Sequence, residues 1–174
     1  IDDFRNFFSP NKEMNKFYIS QLIKKSKDLI KRRFDKFNIK VIEHIDDIEI
    51  LSYQNELFQV ILNLFSNSID VLSSNEIEDK IIHIKIYQDE NNLYIEFLDN
   101  GGGIKDEFIN RVFEPYFTTK HKSQGTGVGL YMSLQIVTKH LNGEISVKND
   151  TFIHNNIKYF GAKFTILIPI YLKK

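Results

Sequence analysis

Apolar residues recur at helical spacing in some stretches of the chain and alternate in others, with proline, glycine and asparagine between them. "IDDFRNFF" reads as the end of a helix, stopped by Ser9-Pro10-Asn11 because proline disfavours helix in the residue before it. "KFYI" predicts a short strand. In "SQLIKKSKDLIKRRF", Leu22, Ile23, Leu29, Ile30 and Phe34 recur among lysines, the pattern of an amphipathic helix. "NIKVIEHI" predicts a strand, and a long helix follows over 53–72. "KIIHIKIYQDENNLYIEFLDN" alternates in two arms about Asp89–Asn92, a hairpin signal. After a glycine cluster come a helix around 105–112 and a loop rich in Thr, Lys and Gly. "GLYMSLQIVTKHLNG" predicts a helix closed by Gly143 as its C-terminal cap. "EISVKND" and "GAKFTILIPI" predict closing strands, expected to be antiparallel. There is no internal repeat and no low-complexity tract. Mixed helices and strands in this order predict an α/β (α+β) fold, a two-layer sandwich of a mixed, largely antiparallel sheet with helices on one face.

The 53–72 helix is unusual. With each residue advancing about 100°, Glu56, Gln59, Asn67 and Asp70 all fall within about 40° of Asn63. Nearly every other position from Phe58 to Leu72 is apolar, so one narrow polar stripe runs along an otherwise buried helix. A surface helix has a broader polar face, rich in Lys and Glu. A buried amide without a partner costs about 1–3 kcal/mol, so Asn63 and Asn67 need partners. Two amide oxygens one turn apart suit a hard cation such as Mg²⁺.

Composition narrows the classes. The 23 basic residues balance 23 acidic ones, so no global field points to nucleic acid or an anionic membrane. The chain has no cysteine, which excludes disulfides, thiolate metal sites and a cysteine nucleophile, and fits a reducing compartment. No apolar run approaches the roughly 20 residues that span a bilayer. The 174 residues suit one domain with a short appendage, and a start at Ile1 without Met leads us to expect a piece of a longer protein.

The glycines carry more. Six of the 8 lie in two clusters, "DNGGGI" (99–104) directly after an alternating strand and "GTGVGL" (125–130) directly before a helix. Glycine lets backbone approach a ligand closely, and a glycine-rich loop opening a helix aims amides and the positive end of the dipole at an anion. Neither cluster is a P-loop, because no Lys-Ser/Thr follows a four-residue spacer.

An Asn-bearing helix, strand-Asp-Gly-x-Gly, "FEPYFTTK", and then Gly-x-Gly-x-Gly opening a helix together resemble the catalytic, ATP-binding domain of sensor histidine kinases. That domain belongs to the superfamily that also holds gyrase, Hsp90 and MutL-type ATPases. "NLFSNSID" resembles the N box, "DNGGGI" the first glycine box, "VFEPYFTTK" the F box and "GTGVGL" the second. The likeness covers roughly residues 17–172. It implies ATP and Mg²⁺ as cofactors. Asp99 would accept the adenine amino group, with Gly101, Gly103 and Ile104 bringing the loop beside the base. Asn67 would hold Mg²⁺ through its amide oxygen, Asn63 would support the metal or phosphates, and Asp70 would lie at the same site. Gly125, Thr126, Gly127, Val128, Gly129 and Leu130 would hold phosphates, with Lys120 brought up as a cation by a lid. Val112 and Phe113 would line the pocket, and Thr165 would support adenine through water.

The hydrolysing relatives place a Glu where Asn63 stands, as the base that activates water, so the site is expected to hold ATP for transfer to another nucleophile. Two departures stand out. Asp70 and Val71 occupy places where many members carry a Lys and an aromatic, so ring stacking on adenine comes from elsewhere or is absent. None of His44, His83, His121, His140 and His154 lies in the family's phosphoacceptor motif, which sits on a helix hairpin before this domain.

Residues 1–16 are expected to be the tail of that hairpin with its linker, and 17–174 the ATP-binding domain. The implied partners are the phosphoacceptor hairpin of the same or a sister chain and a response regulator, with no nucleic acid. The full-length protein would be a homodimer, this piece a monomer. A cytoplasmic domain is implied, and a membrane anchor in the parent stays open. Phe113 and Phe117 are candidates for docking on the hairpin or for core packing. The rival readings are a nucleotide-binding scaffold without catalysis, against which Asn67, Asp99 and both glycine boxes speak, and a hydrolytic ATPase.

Overall fold

A computed structural model describes residues 13–120 and 125–171 of the chain. The order is β1 (Asn15–Tyr18), α1 (Ile19–Phe37), β2 (Ile39–Ile45), β3 (Glu49–Ser52), α2 (Gln54–Ser74), β4 (Lys80–Gln88), β5 (Asn92–Asp99), α3 (Asp106–Ile109), α4 (Gly129–Gln135), β6 (Glu144–His154) and β7 (Ile157–Pro169). A π-helical stretch, Ile136–His140, continues α4. The main sheet runs β2-β4-β5-β7-β6; β2 pairs with β4 in parallel and all other neighbours are antiparallel. β1 and β3 form a separate antiparallel pair. The expected sandwich is what the chain builds. The expected hairpin tail over 1–16 falls mainly on residues outside those described, and Asn15 and Lys16 already belong to β1, so the boundary at 16/17 cuts a strand.

Alternation decides which side chains face the helices. Ile82, Ile84 and Ile86 of β4, Leu93, Ile95 and Phe97 of β5, and Phe164, Ile166 and Ile168 of β7 are all buried in one core with α1 and α2. α2 closes that core from above. Its Leu57, Val60, Ile61, Leu64, Phe65, Ile69 and Leu72 are fully or almost fully buried. Phe65 stands edge-on between Phe34 of α1 and Phe97 of β5, with ring centroids at 5.4 and 4.9 Å. Leu29, expected on the buried stripe of α1, is exposed instead.

Two further differences have local causes. The last two strands are longer than expected and form one hairpin about Asn155-Asn156, both with positive φ (49° and 62°), the geometry of a two-residue primed turn. Its Phe152 and Tyr159 close a second apolar cluster with Ile81 and Leu98 on the outer face of the sheet. The helix over 129–140 ends with Asn142, not Gly143, in the left-handed region (φ 51°). Gly143 donates its amide to the Val137 carbonyl, and a Cβ there would collide with the Leu167 carbonyl. Glycine is thus required at 143 by contact rather than by its dihedral. Among the described residues no helix is long and apolar enough to cross a membrane.

Truncating Phe65 to Ala removes both edge-on contacts at once and leaves a cavity at the junction of α1, α2 and the sheet. The expected loss is about 3–5 kcal/mol of unfolding free energy, measured by urea denaturation.

Candidate functional site

β5 carries its inward parity one step past Phe97, to Asp99, where the strand ends and the glycine loop begins. The carboxylate therefore projects on the helix side at the floor of a cleft of about 520 Å³ between α2, the glycine loop and the segment leading into α4. Gly101 donates its amide to Asp99 Oδ1 at 2.9 Å, Ser68 of α2 donates its hydroxyl to Oδ2 at 3.3 Å, and the Ala162 amide of β7 donates as well. Asp99 is 3% exposed. Burial pushes its carboxyl above the ordinary carboxylate value, and the three hydrogen bonds pull the other way without cancelling it.

Three asparagine side chains pin the glycine loop. Asn75 donates to the Gly101 carbonyl at 2.9 Å. Asn100 accepts from the Ile81 amide at 2.8 Å. Asn149 of β6 accepts from the Ile104 amide at 2.8 Å and donates to its carbonyl at 2.7 Å, a two-point clasp. Across the cleft, Gly127 takes φ 68° directly against the Tyr116 backbone, and Tyr116 donates its amide to the Gly127 carbonyl at 2.9 Å. Only glycine meets both demands without strain.

Most of the polar stripe of α2 finds partners in this cleft or beyond its end. Glu56 meets His140 at 2.9 Å. Asn63 donates its amide to the Gly129 carbonyl and to Ser133 Oγ, at 3.2 and 3.1 Å, tying the start of α4 to α2. Asp70 is bridged by Arg33 of α1 at 2.7 Å and Lys120 at 2.6 Å. Asn67 lines the cleft with its amide nitrogen buried and unpartnered. The protein does not tie this side chain down, and a half-turn of the amide exchanges its oxygen for its nitrogen. Among the described residues no three His, Asp or Glu side chains converge as a metal cage. This donor set fits Mg²⁺ bound through one or two protein oxygens, with phosphates and water supplying the rest.

Of the expected site residues, the cleft brings together Asn63, Asn67, Asp70, Asp99, Gly103, Ile104, Val112, Lys120, Gly125, Thr126, Gly127, Gly129 and Leu130. Gly101 lies just behind it, where a Cβ would strike Val71. Val128 caps α4 outside the cleft lining. Phe113 packs edge-on against Phe164 as part of the core, while Phe117 lines the cleft beside Phe108 and under the Arg111 guanidinium. Thr165 is misplaced by the expectation. It pairs with Glu96 on β5, and its parity puts it on the outer face of the sheet, away from the cleft. Its neighbours Ala162 and Phe164 line the cleft instead.

Sequence reasoning also missed Ser68, Arg33, Asn149 and Gly161. A Cβ at Gly161 would run into the Asp99 backbone and carboxylate. "GAKF" does hold a glycine and a small residue where β7 passes Asp99, but nothing local pairs them with a residue 62 positions earlier. Of the histidines, His44 and His83 face each other at 3.0 Å on the sheet, and His121 lies outside the described residues.

A buried acidic floor, two glycine loops and an amide-bearing helix thus share one face of the sheet. The chain belongs to the histidine kinase-, DNA gyrase B- and HSP90-like ATPase family, whose model matches residues 52–172. It is 31% identical over 155 residues to sporulation kinase E of Bacillus subtilis (strain 168), covering 88% of this chain and 19% of that protein. It is 32% identical over 115 residues to a probable C4-dicarboxylate sensor kinase of Halalkalibacterium halodurans, covering 66% of this chain and 20% of that one. The chain thus spans about a fifth of the length of these curated relatives. The solved catalytic domain of histidine kinase ThkA superposes with a TM-score of 0.75 at 25% identity, over 91% of this chain and 97% of that one.

The charge on Asp99 has a measurable consequence. A carboxyl whose pKa is raised by folding costs the protein stability in full above the folded pKa and nothing well below the ordinary value of 3.8. Asp99→Asn is therefore expected to raise the melting temperature of the nucleotide-free protein at pH 7. The gain should fade as pH falls through the folded pKa toward the ordinary value, in thermal melts followed by circular dichroism.

Proposed function

We propose that this domain binds ATP with Mg²⁺ and is the catalytic part of a sensor histidine kinase, passing the γ-phosphoryl group to a histidine on a helix hairpin. The observation that carries this reading is Asp99. A buried carboxylate, paid for by desolvation and aimed into a cleft between two glycine loops, suits one partner above all, an exocyclic amine such as that of adenine. Val71, Phe164 and Ile104 offer apolar walls to the base. The Gly125–Gly129 backbone and Lys120 sit where phosphates extend toward Asn67. The Asn67 amide oxygen would hold Mg²⁺ there, and the ion would supply neutralisation of the phosphate charge.

Asn63 supports transfer over hydrolysis. An amide that donates to Gly129 and Ser133 is a poor base for water, so water has no activated route to the γ-phosphorus. The nucleophile is then an imidazole nitrogen of the acceptor, which attacks as the bond to the bridging oxygen of ADP breaks. The acceptor belongs to the hairpin of the same or a sister chain in a homodimeric parent. The phosphoryl group passes on to a response regulator on the cytoplasmic side. The family's sensor kinases support this reading.

Calorimetric titration of ATP with and without Mg²⁺ tests it. Binding is expected to tighten with Mg²⁺ and to be lost in Asp99→Asn, whose fold the thermal melts described above check. With the hairpin restored, phosphate from γ-labelled ATP should appear on its histidine as an acid-labile adduct. ATP binding that ignores Asp99, or no binding at all, would overturn the proposal.

A further inference from the structure

Asp70 sits where the stripe of α2 meets the phosphate end of the cleft, three residues beyond Asn67. Apart from Asp99 at the opposite, adenine end, it is the one carboxylate lining the cleft among the described residues. It does not face the cleft alone. One oxygen is held by Arg33 and the other by Lys120. The two cations are not equivalent. Arg33 reaches from α1, is also held by Ser66 at 3.0 Å, and does not line the cleft. Lys120 does line it, with its side chain against Gly125 at the start of the second glycine loop. Among the described residues Lys120 is thus the one lysine or arginine lining the cleft beside this loop, and its ammonium is occupied by Asp70.

Two consequences follow from charge alone. A polyphosphate entering without a metal meets a carboxylate, and must take Lys120 from it. A polyphosphate entering with a divalent cation brings a replacement counter-ion for Asp70. That cation sits near Asn67, one helical turn away, and Lys120 is released to the phosphates in exchange. We propose that Asp70 is a positioning residue that makes nucleotide binding depend on the divalent cation, by withholding Lys120 from phosphate until a metal takes over its carboxylate. This rests on the nucleotide reading above and adds to it an assigned role for the acidic residue of the stripe. Arg33 keeps Asp70 in place throughout, since its second hydrogen bond to Ser66 does not depend on the exchange.

The pair is accessible enough to exchange. The side chains of Asp70 and Lys120 are 33% and 27% exposed, so the contact is partly screened and its effect on binding is modest. The test is a set of ATP titrations by calorimetry, in Mg²⁺ and in chelator, on the wild-type chain, Asp70→Asn, Lys120→Met and the double variant. Asp70→Asn is expected to tighten metal-free ATP binding by about fivefold and to shrink the ratio between metal-free and Mg²⁺ affinities. In the Lys120→Met background the same change should move the metal-free affinity less than about twofold. Weaker or unchanged metal-free binding in Asp70→Asn overturns the proposal, and so does an undiminished effect when Lys120 is absent. Failure of the nucleotide reading looks different: the wild-type chain would not bind ATP even with Mg²⁺, and both fall together.

Discussion

The burial of α2 is the constraint from which the site follows. A helix with apolar residues on nearly all sides must be covered nearly all round, and here the sheet covers one flank and α1 another, with Phe65 wedged between Phe34 and Phe97. The narrow stripe left over has only one place to go, along the gap between α2 and the loops that leave β5 and enter α4. Once the helix is seated, Asn63, Asn67 and Asp70 are fixed in line, one turn apart, on rigid backbone. The core thus aims the polar residues, and packing and binding are one arrangement seen from two sides.

That arrangement divides the cleft by charge. At one end Asp99 is deeply buried and held by amides of Gly101 and Ala162 and by the Ser68 hydroxyl. Its surroundings are otherwise apolar, so the carboxylate is kept at a cost to the empty fold. At the other end Asp70, Lys120 and Arg33 form a partly solvated network that can change partners cheaply. A rigid, expensive acceptor suits recognition of a base, where geometry must be fixed in advance. A partly exposed ionic pair suits phosphates, whose charge depends on what accompanies them. Asn63 joins the two regions by holding the start of α4 against α2.

Much of this was legible in the chain because it is written in local patterns. The 3.6-residue recurrence marked α1 and α2, and alternation marked β4 and β5. The two glycine clusters stood beside a strand end and a helix start where backbone must approach a ligand. The stripe of α2 was visible as a stripe, and thirteen of the expected site residues do line one cleft. Expectation was misleading where a neighbour decides. The family likeness offers Thr165 as a site residue until β7 is paired with β5, and the register then turns it to the outer face. Gly143 reads as a cap until Leu167 is brought against it.

What the sequence by itself determined is the set of elements, the family likeness and the residue types at the site, since each depends on spacings of a few residues along the chain. Tertiary structure alone decided which of those residues meet. Asp99 needs Gly161 and Ala162, more than sixty residues on, to leave room and donate a hydrogen bond. Asn149 clasps Ile104 across 45 positions, and Lys120 reaches Asp70 across 50. Strand pairing and helix seating bring such residues together. Both are set by how the whole apolar surface is buried, and no short window of sequence contains that information.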